Sequence, residues 1–372
     1  MKFNDLDIIN SNLNNKILTN LTKTIKENKF IFSKEVIKLE KKLKKLSNSR
    51  YAITTGSGTD SLILSLMAIK QKKNKNEIII PAFSWLSVAE AVLLLGYKPI
   101  YADVETMTFN ISVKDVQKKI NKKTLAIIST SLFGRSCDLI KLREICKKKR
   151  IMFIEDAAQN FGSKIGKKNS CAIADITCTS FFPTKNLGGY GDGGAIFTNK
   201  KNFYDKILKL RNHGQTRYSE SNMIGLNSRI GSLQASILNE KTLEFRKKIK
   251  NQIKTYKSYQ KFFEKNFITG FPKYKSGDSV SHFNILVKKR PSFIKNLKKH
   301  NIDYKIYYPK PLYKQFNQKF DRKILMNNCE NICKKIISLP FNDHSKKRHK
   351  MVLRALQNII NKNKYYFFEK KN

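Results

Sequence analysis

From residue 51 the chain alternates between short apolar runs and amphipathic stretches. "YAITTGSGTD" is a short strand running into a glycine turn, "SLILSLMAI" a helix, "NEIIIPAF" a buried strand, "SVAEAVLLLG" a helix and "KPIYADV" a strand. The pattern continues with "SVKDVQKKI" as helix, "TLAIIST" as strand, "LIKLREICKKK" as helix and "IMFIEDAA" as strand. Apolar runs of about four to seven residues alternating with helices of about ten predict an α/β fold with a mainly parallel sheet. Upstream, "FIFSKEVIKLEKKLKKL" (30–46) carries apolar residues at helical spacing and a basic solvent face. After "DITCTSFF" and "GGAIFT" the texture changes: 233–265 reads as long lysine-rich helix, and a last helix is predicted near 346–362. Two domains are expected, 1–240 comprising an N-terminal arm and a large domain and 241–372 a small one, with "KYYFFEKKN" as a frayed tail.

Composition narrows the class. At 372 residues with 40% hydrophobic positions the chain can bury sizeable cores. No run approaches the roughly 18 apolar residues of a membrane span, and "MKFNDLDIINSNLNN" has no signal-peptide h-region. Six dispersed cysteines in a large chain argue for reduced thiols and a cytoplasmic location. The net charge of +46 would suit a polyanion such as nucleic acid. The lysines, however, are spread over nearly every predicted helix, and arginine, which phosphate surfaces favour, is scarce. We therefore expect a charge set by composition, with no specific nucleic-acid partner; a field of this kind can still draw in anionic substrates.

Three motifs fall at the carboxyl ends of predicted strands, where open α/β sheets bind ligands. In "TGSGTDSLILSL", Gly56 and Gly58 allow a sharp turn into a helix whose first amides could hold a phosphate at Gly58 and Thr59; an ordinary capped turn would look the same. In "FIEDAAQNFGS", Glu155 and Asp156 end a strand, as a metal site, an acid–base pair, a partner for a protonated heterocyclic nitrogen or a simple helix cap. In "TSFFPTKNLGGYGDGGAIF", Lys185 stands behind two aromatics and a proline and before five glycines. Partial desolvation there would lower its amine pKa and make it a nucleophile for a carbonyl. The glycines are expected to let a bulky ligand lie against the backbone. A reactive lysine, an anion cradle and a carboxylate together meet the needs of pyridoxal phosphate, and Trp85 in "PAFSWLSVAE" could stack on its ring. No metal is expected.

The set "GSGTDSL", "PAFSWLSVAEAV", "YADVETMTFNI", "IEDAAQNFGS", "TSFFPTKNLGGYGDGGAIFT", "RNHGQ", "GLNSRIGSLQASIL" and "YYPKPLYKQ" resembles the DegT/DnrJ/EryC1/StrS family of pyridoxal-phosphate sugar aminotransferases over roughly residues 5–360. The resemblance implies a type I aminotransferase fold, aspartate aminotransferase-like. Its large domain has a mainly parallel seven-stranded sheet, its C-terminal domain is a smaller α+β unit, and the active sites of a homodimer lie at the subunit interface. It implies that Lys185 is the Schiff-base lysine and that Asp156 pairs with the pyridinium nitrogen. Gln159 would lie near the phenolic oxygen and Trp85 over the ring. Gly58, Thr59 and Ser180 would hold the phosphate, with Asn227 reaching it from the other subunit. Arg229 is a candidate for a substrate carboxylate or an interface ion pair, and Tyr307 and Tyr308 for the sugar.

Three positions depart from the family pattern. Tyr307 stands where a histidine is common, Gly231 where an acid is common, and "LPFND" (339–343) where "LPxHP" is usual. All three bear on the sugar more than on the chemistry, and Lys185, which the family's dehydratases replace, is kept. Within the family the motifs look most like the branch that aminates C3 of UDP-2-acetamido-2-deoxy-3-keto-glucuronate, with glutamate as donor, for bacterial surface polysaccharides such as O-antigen. A dTDP-3- or 4-keto-6-deoxyhexose aminotransferase, a catalytically silent regulator of the same fold and a basic nucleic-acid-binding protein are the alternatives.

Overall fold

The computed structural model describes residues 3, 13–70, 73–217, 219–316, 326–341 and 346–369. Seven strands form the central sheet: β1 (Tyr51–Thr55), β2 (Glu77–Pro81), β3 (Lys98–Ala102), β4 (Thr124–Thr130), β5 (Met152–Asp156), β6 (Ile176–Ser180) and β7 (Gly194–Thr198). Their order is β1-β7-β6-β5-β4-β2-β3. Only β7 runs against its neighbours, pairing antiparallel with both β1 and β6.

Alternation within the strands decides the layers. Ile78 and Ile80 join one core cluster with Ala126, Ile128 and Ile154, whereas the intervening Ile79, Ile127 and Phe153 join another. Both faces are therefore covered, which is why these strands read as unbroken apolar runs. Helices α3 (Gly58–Ala68) and α4 (Ser87–Leu94) pack on the first face, and α5 (Val113–Lys119) and α6 (Leu139–Lys149) on the second. Two further helices lie outside the sequence-based expectation: α1 (Asn14–Lys26), ahead of α2 (Lys34–Ser47), and α7 (Lys201–Leu210), which packs on the first face.

The expected boundary near 240 falls within one 34-residue helix, α8 (Ser232–Lys265). Its first half places Ala235, Leu238 and Phe245 against Val36, Leu39 and Leu43 of α2. Its second half sends Tyr256, Tyr259 and Phe263 into a separate aromatic core with Phe283, Phe293, Phe341 and Phe367. That core is built around β8 (Phe283–Leu286), antiparallel to β9 (Ile336–Leu339), with α9 (Arg290–Lys299) and α11 (Lys346–Lys362) packed on it, whereas α10 (Asn327–Lys335) buries Cys329, Ile332 and Cys333 in the first core of the central sheet.

The tail corrects the expectation of fraying. Phe367 is fully buried and Phe368–Glu369 pair with Ile268–Thr269, because removing one large aromatic from water is worth about 1.5–3 kcal/mol. Residues 370–372, like Asn342 and Asp343 of "LPFND", lie outside the described residues. All six cysteines are free and buried. No helix among the described residues is long and apolar enough to cross a membrane.

Candidate active site

The carboxyl ends of β4, β5 and β6 and the turn after β1 converge at one end of the sheet. Ser57 caps α3, its Oγ accepting from the Asp60 amide at 3.0 Å, and the first backbone bond of the helix is made by Ser61. The Gly58 and Thr59 amides precede it, so they remain available to an anion. Gly58 is required by proximity: a Cβ there would stand 2.7 Å from Ser180 Cβ at the end of β6. Ser228 ties a third loop to this turn, its Oγ donating to Asp60 Oδ2 (2.8 Å) and accepting from the Gly56 amide (3.1 Å).

Asp156 ends β5, almost wholly buried, with Oδ1 accepting from the Ala158 amide at 3.0 Å. Burial raises its pKa against the pull of that amide and of Lys185. Burial likewise lowers the Lys185 amine, with the Asp156 charge pulling the other way. Each group thus senses the other, and in each desolvation prevails. A cation held beside Asp156 would return it to the carboxylate form. Behind it, Glu155 is fully buried and pushed up to about 7, although Ser131, Asn160 and Thr177 all donate to its oxygens.

Three of the five glycines after Lys185 are required by the protein's own packing, whereas a Cβ on Gly191 would meet nothing closer than 3.6 Å. A Cβ on Gly188 would fall 2.2 Å from Pro183 O, on Gly189 2.4 Å from Gln234 Nε2 and on Gly194 2.3 Å from Ser57 O. Next to the lysine, Asn186 Nδ2 donates to Ser279 O at 2.8 Å, anchoring the loop to the segment that leads into β8.

An aromatic wall faces this cluster. Gln159 Nε2 donates to Tyr308 Oη (2.9 Å) while its Oε1 accepts from the Phe133 amide (2.8 Å). The Tyr308 ring lies 5.5 Å from Phe83 and 5.9 Å from Trp85, and Trp85 is 53% exposed. Tyr307 packs edge-on against His282. Sequence reasoning missed His282, a single histidine one residue before β8 that belongs to no spaced motif; its place became visible only through the fold.

Of the residues expected at the site, Gly58, Thr59, Ser180, Lys185, Asp156, Gln159, Trp85, Tyr307 and Tyr308 lie along this end of the sheet and its wall. Asn227 and Arg229 sit on the adjoining loop, joined to the Gly56–Asp60 turn through Ser228. Asn227 is exposed; Arg229 is half-buried, with Nη1 donating to Asn212 Oδ1 at 2.6 Å and Nε buried without a partner among the described residues. An amine and a carboxylate that sense each other, beside a turn with free amides and no room for a Cβ, fit pyridoxal phosphate.

The profile of the DegT/DnrJ/EryC1/StrS aminotransferase family matches residues 11–357. The UDP-2-acetamido-2-deoxy-3-oxo-D-glucuronate aminotransferase of Pseudomonas aeruginosa is 34% identical over 316 residues, 85% of this chain and 88% of that protein. A pleiotropic regulatory protein of Geobacillus stearothermophilus is 31% identical over 87% of this chain and 89% of its own length. A crystal structure of a family aminotransferase from Brucella abortus superposes with a TM-score of 0.89 at 27% identity, covering 96% of this chain and 99% of that one.

Proposed function

The chain belongs to the DegT/DnrJ/EryC1/StrS aminotransferase family and is a pyridoxal-phosphate-dependent sugar aminotransferase, and from that premise we propose that it aminates C3 of UDP-2-acetamido-2-deoxy-3-keto-glucuronate with glutamate as donor. The observation that carries the choice of a uronate is Arg229. Its guanidinium has a buried nitrogen without a partner and stands on the loop that Ser228 ties to the phosphate turn. A planar fork of this kind pairs with a carboxylate. The Pseudomonas relative, by its name, acts on such a sugar.

When bound, the cofactor supplies a carbonyl for the amine and an electron sink for the carbanion. The chain's residues do the rest. Lys185 would hold the cofactor and, as a free amine, would take up and return the proton of the donor's Cα; burial keeps more of it in the neutral, basic form. Asp156 would hold a positive charge on the ring nitrogen. Gly58, Thr59 and Ser180 would hold the phosphate, Trp85 would cover the ring, and Gln159 positions Tyr308 by donating to its Oη.

A second copy of the chain completes the site in this account. Asn227 points outward, and Phe30, Ile31, Phe32, Trp85, Phe182 and Ile224 leave large apolar side chains exposed. Such exposure is what a partner subunit would cover. We place the homodimer in the cytoplasm, supplying an amino sugar for surface polysaccharide.

The test is a panel of 3-keto and 4-keto UDP- and dTDP-sugars offered with glutamate. Amination of the UDP-3-keto-uronate is expected to dominate. Preference for a dTDP-keto-6-deoxyhexose would overturn the substrate assignment. The regulatory relative favours a second reading, a regulator of the same fold; failure of the purified protein to exchange an amino group with glutamate would support it.

A further inference from the structure

His282 is the one polar ring in the aromatic wall that the account above leaves unused. Its imidazole lies 5.4 Å from the Phe133 ring at 70° and 5.2 Å from the Tyr307 ring at 87°, edge-on in both cases. Two such contacts fix the plane of the ring. Nδ1 lies 3.0 Å from Ser281 Oγ, and Nε2 makes no hydrogen bond among the described residues. The ring lines a small crevice with Arg135, whose guanidinium is paired with Asp278 at 3.5 Å, and it senses the charge of Lys185. Burial first and Lys185 second disfavour the imidazolium, holding the pKa at about 3. With one nitrogen committed to Ser281, this neutral ring presents the other as a single hydrogen-bonding atom.

A buried, neutral imidazole that senses one cation, Lys185, suits a particular kind of ligand group. A carboxylate or phosphate would favour the protonated ring, against both the burial and the charge of Lys185. An uncharged hydroxyl or carbonyl oxygen pairs with it at no such cost. We propose that His282 is a specificity-determining residue that recognises, through Nε2, a hydroxyl or carbonyl oxygen on the ring of the acceptor sugar, with Ser281, Phe133 and Tyr307 holding it in place. The inference rests on the sugar reading above. The donor, glutamate, carries only carboxylates and an amine, so the two halves of the reaction should use His282 unequally.

The test follows each half-reaction of the holoenzyme separately in His282→Phe and His282→Asn. With the UDP-3-keto-uronate, His282→Phe is expected to raise KM about 10- to 100-fold, the effect of one buried hydrogen-bonding group left unpaired. The glutamate half-reaction should change less than about 2-fold on the same ground, and His282→Asn, which keeps a polar atom, should recover most of the loss. Thermal unfolding checks that the variants fold. Equal losses in both halves, or no loss in either, would overturn the proposal. If the wild-type protein aminates no keto sugar, the substrate reading fails by itself. His282 is then judged by calorimetry with UDP-N-acetylglucosamine on the cofactor-free protein: weaker binding by His282→Phe supports its role, and unchanged or absent binding in both proteins refutes it.

Discussion

Replacing Gly58 with alanine tests the phosphate turn at one atom. The new Cβ would lie 2.7 Å from Ser180 Cβ and 3.3 Å from Ser180 Cα. Carbon atoms in contact prefer about 3.5–4.0 Å, so α3 and the end of β6 must part by roughly 1 Å. Overpacking of this kind costs about 1–3 kcal/mol. Alanine's better helix propensity returns up to about 1 kcal/mol, so the cofactor-free protein should lose little stability. The displacement falls on the amides that hold the phosphate. A net cost of about 1–2 kcal/mol there weakens cofactor binding roughly 5- to 30-fold. Titrating the cofactor-free protein with pyridoxal phosphate, by visible absorbance, measures it. Ser180→Gly removes the opposing Cβ together with a hydroxyl proposed to hold the phosphate, so it weakens binding by itself, and the double variant should lose less than the sum of the two single losses, a non-additivity that identifies the contact as the cause. Unchanged affinity in Gly58→Ala, or strictly additive losses, would refute the reasoning.

Two further predictions concern buried charge. Glu155 titrates near 7 in the fold, above its ordinary 4.5. Its contribution is therefore fully present below about pH 4.5 and is lost as pH rises through 7, amounting to roughly 3 kcal/mol at most. In the cofactor-free protein, Glu155→Gln should flatten the stability profile between pH 4.5 and 7 in urea unfolding; an unchanged slope would contradict the assignment. Arg211 is buried, and its Nη1 donates to Glu40 Oε1 (2.7 Å) and Thr54 O (2.8 Å). Arg211→Met leaves the Glu40 charge without its cation, held only by the Thr54 amide and hydroxyl (both 2.9 Å), and is expected to cost about 3 kcal/mol in denaturant unfolding, whereas a loss below about 1 kcal/mol would mark the pair as no better than a surface one.

The central strands were legible because burial on both faces demands long apolar runs, as in Ile78–Ile80 and Leu125–Ile128. The reversed direction of β7 was not, since "GAIFT" carries the same apolar signal whichever way it runs. Helix α7 did carry a signal: Phe203, Ile207 and Leu210 are buried at helical spacing. Helix α1 offered little, because Leu13 and Ile17 are its buried apolar anchors against Ile237. The tail misled for another reason: Phe367 is buried against Phe263, about a hundred positions earlier in the chain. At the site, Lys185 and Asp156 were legible as local motifs at strand ends. His282 was not, because its neighbours Phe133, Tyr307 and Lys185 come from three distant segments. The glycines near Lys185 were visible, but the packing need of Gly188, Gly189 and Gly194 was not, since only three-dimensional proximity shows how close Pro183, Gln234 and Ser57 come.

The central claim is a covalent link between one lysine and the cofactor. Borohydride reduction of the protein loaded with pyridoxal phosphate, followed by peptide mass analysis, tests it directly. The account predicts the pyridoxyl label on the peptide containing Lys185, with label, yellow colour and turnover all lost in Lys185→Ala. A label on a different lysine, or a Lys185→Ala protein that keeps its colour and its turnover, would contradict it.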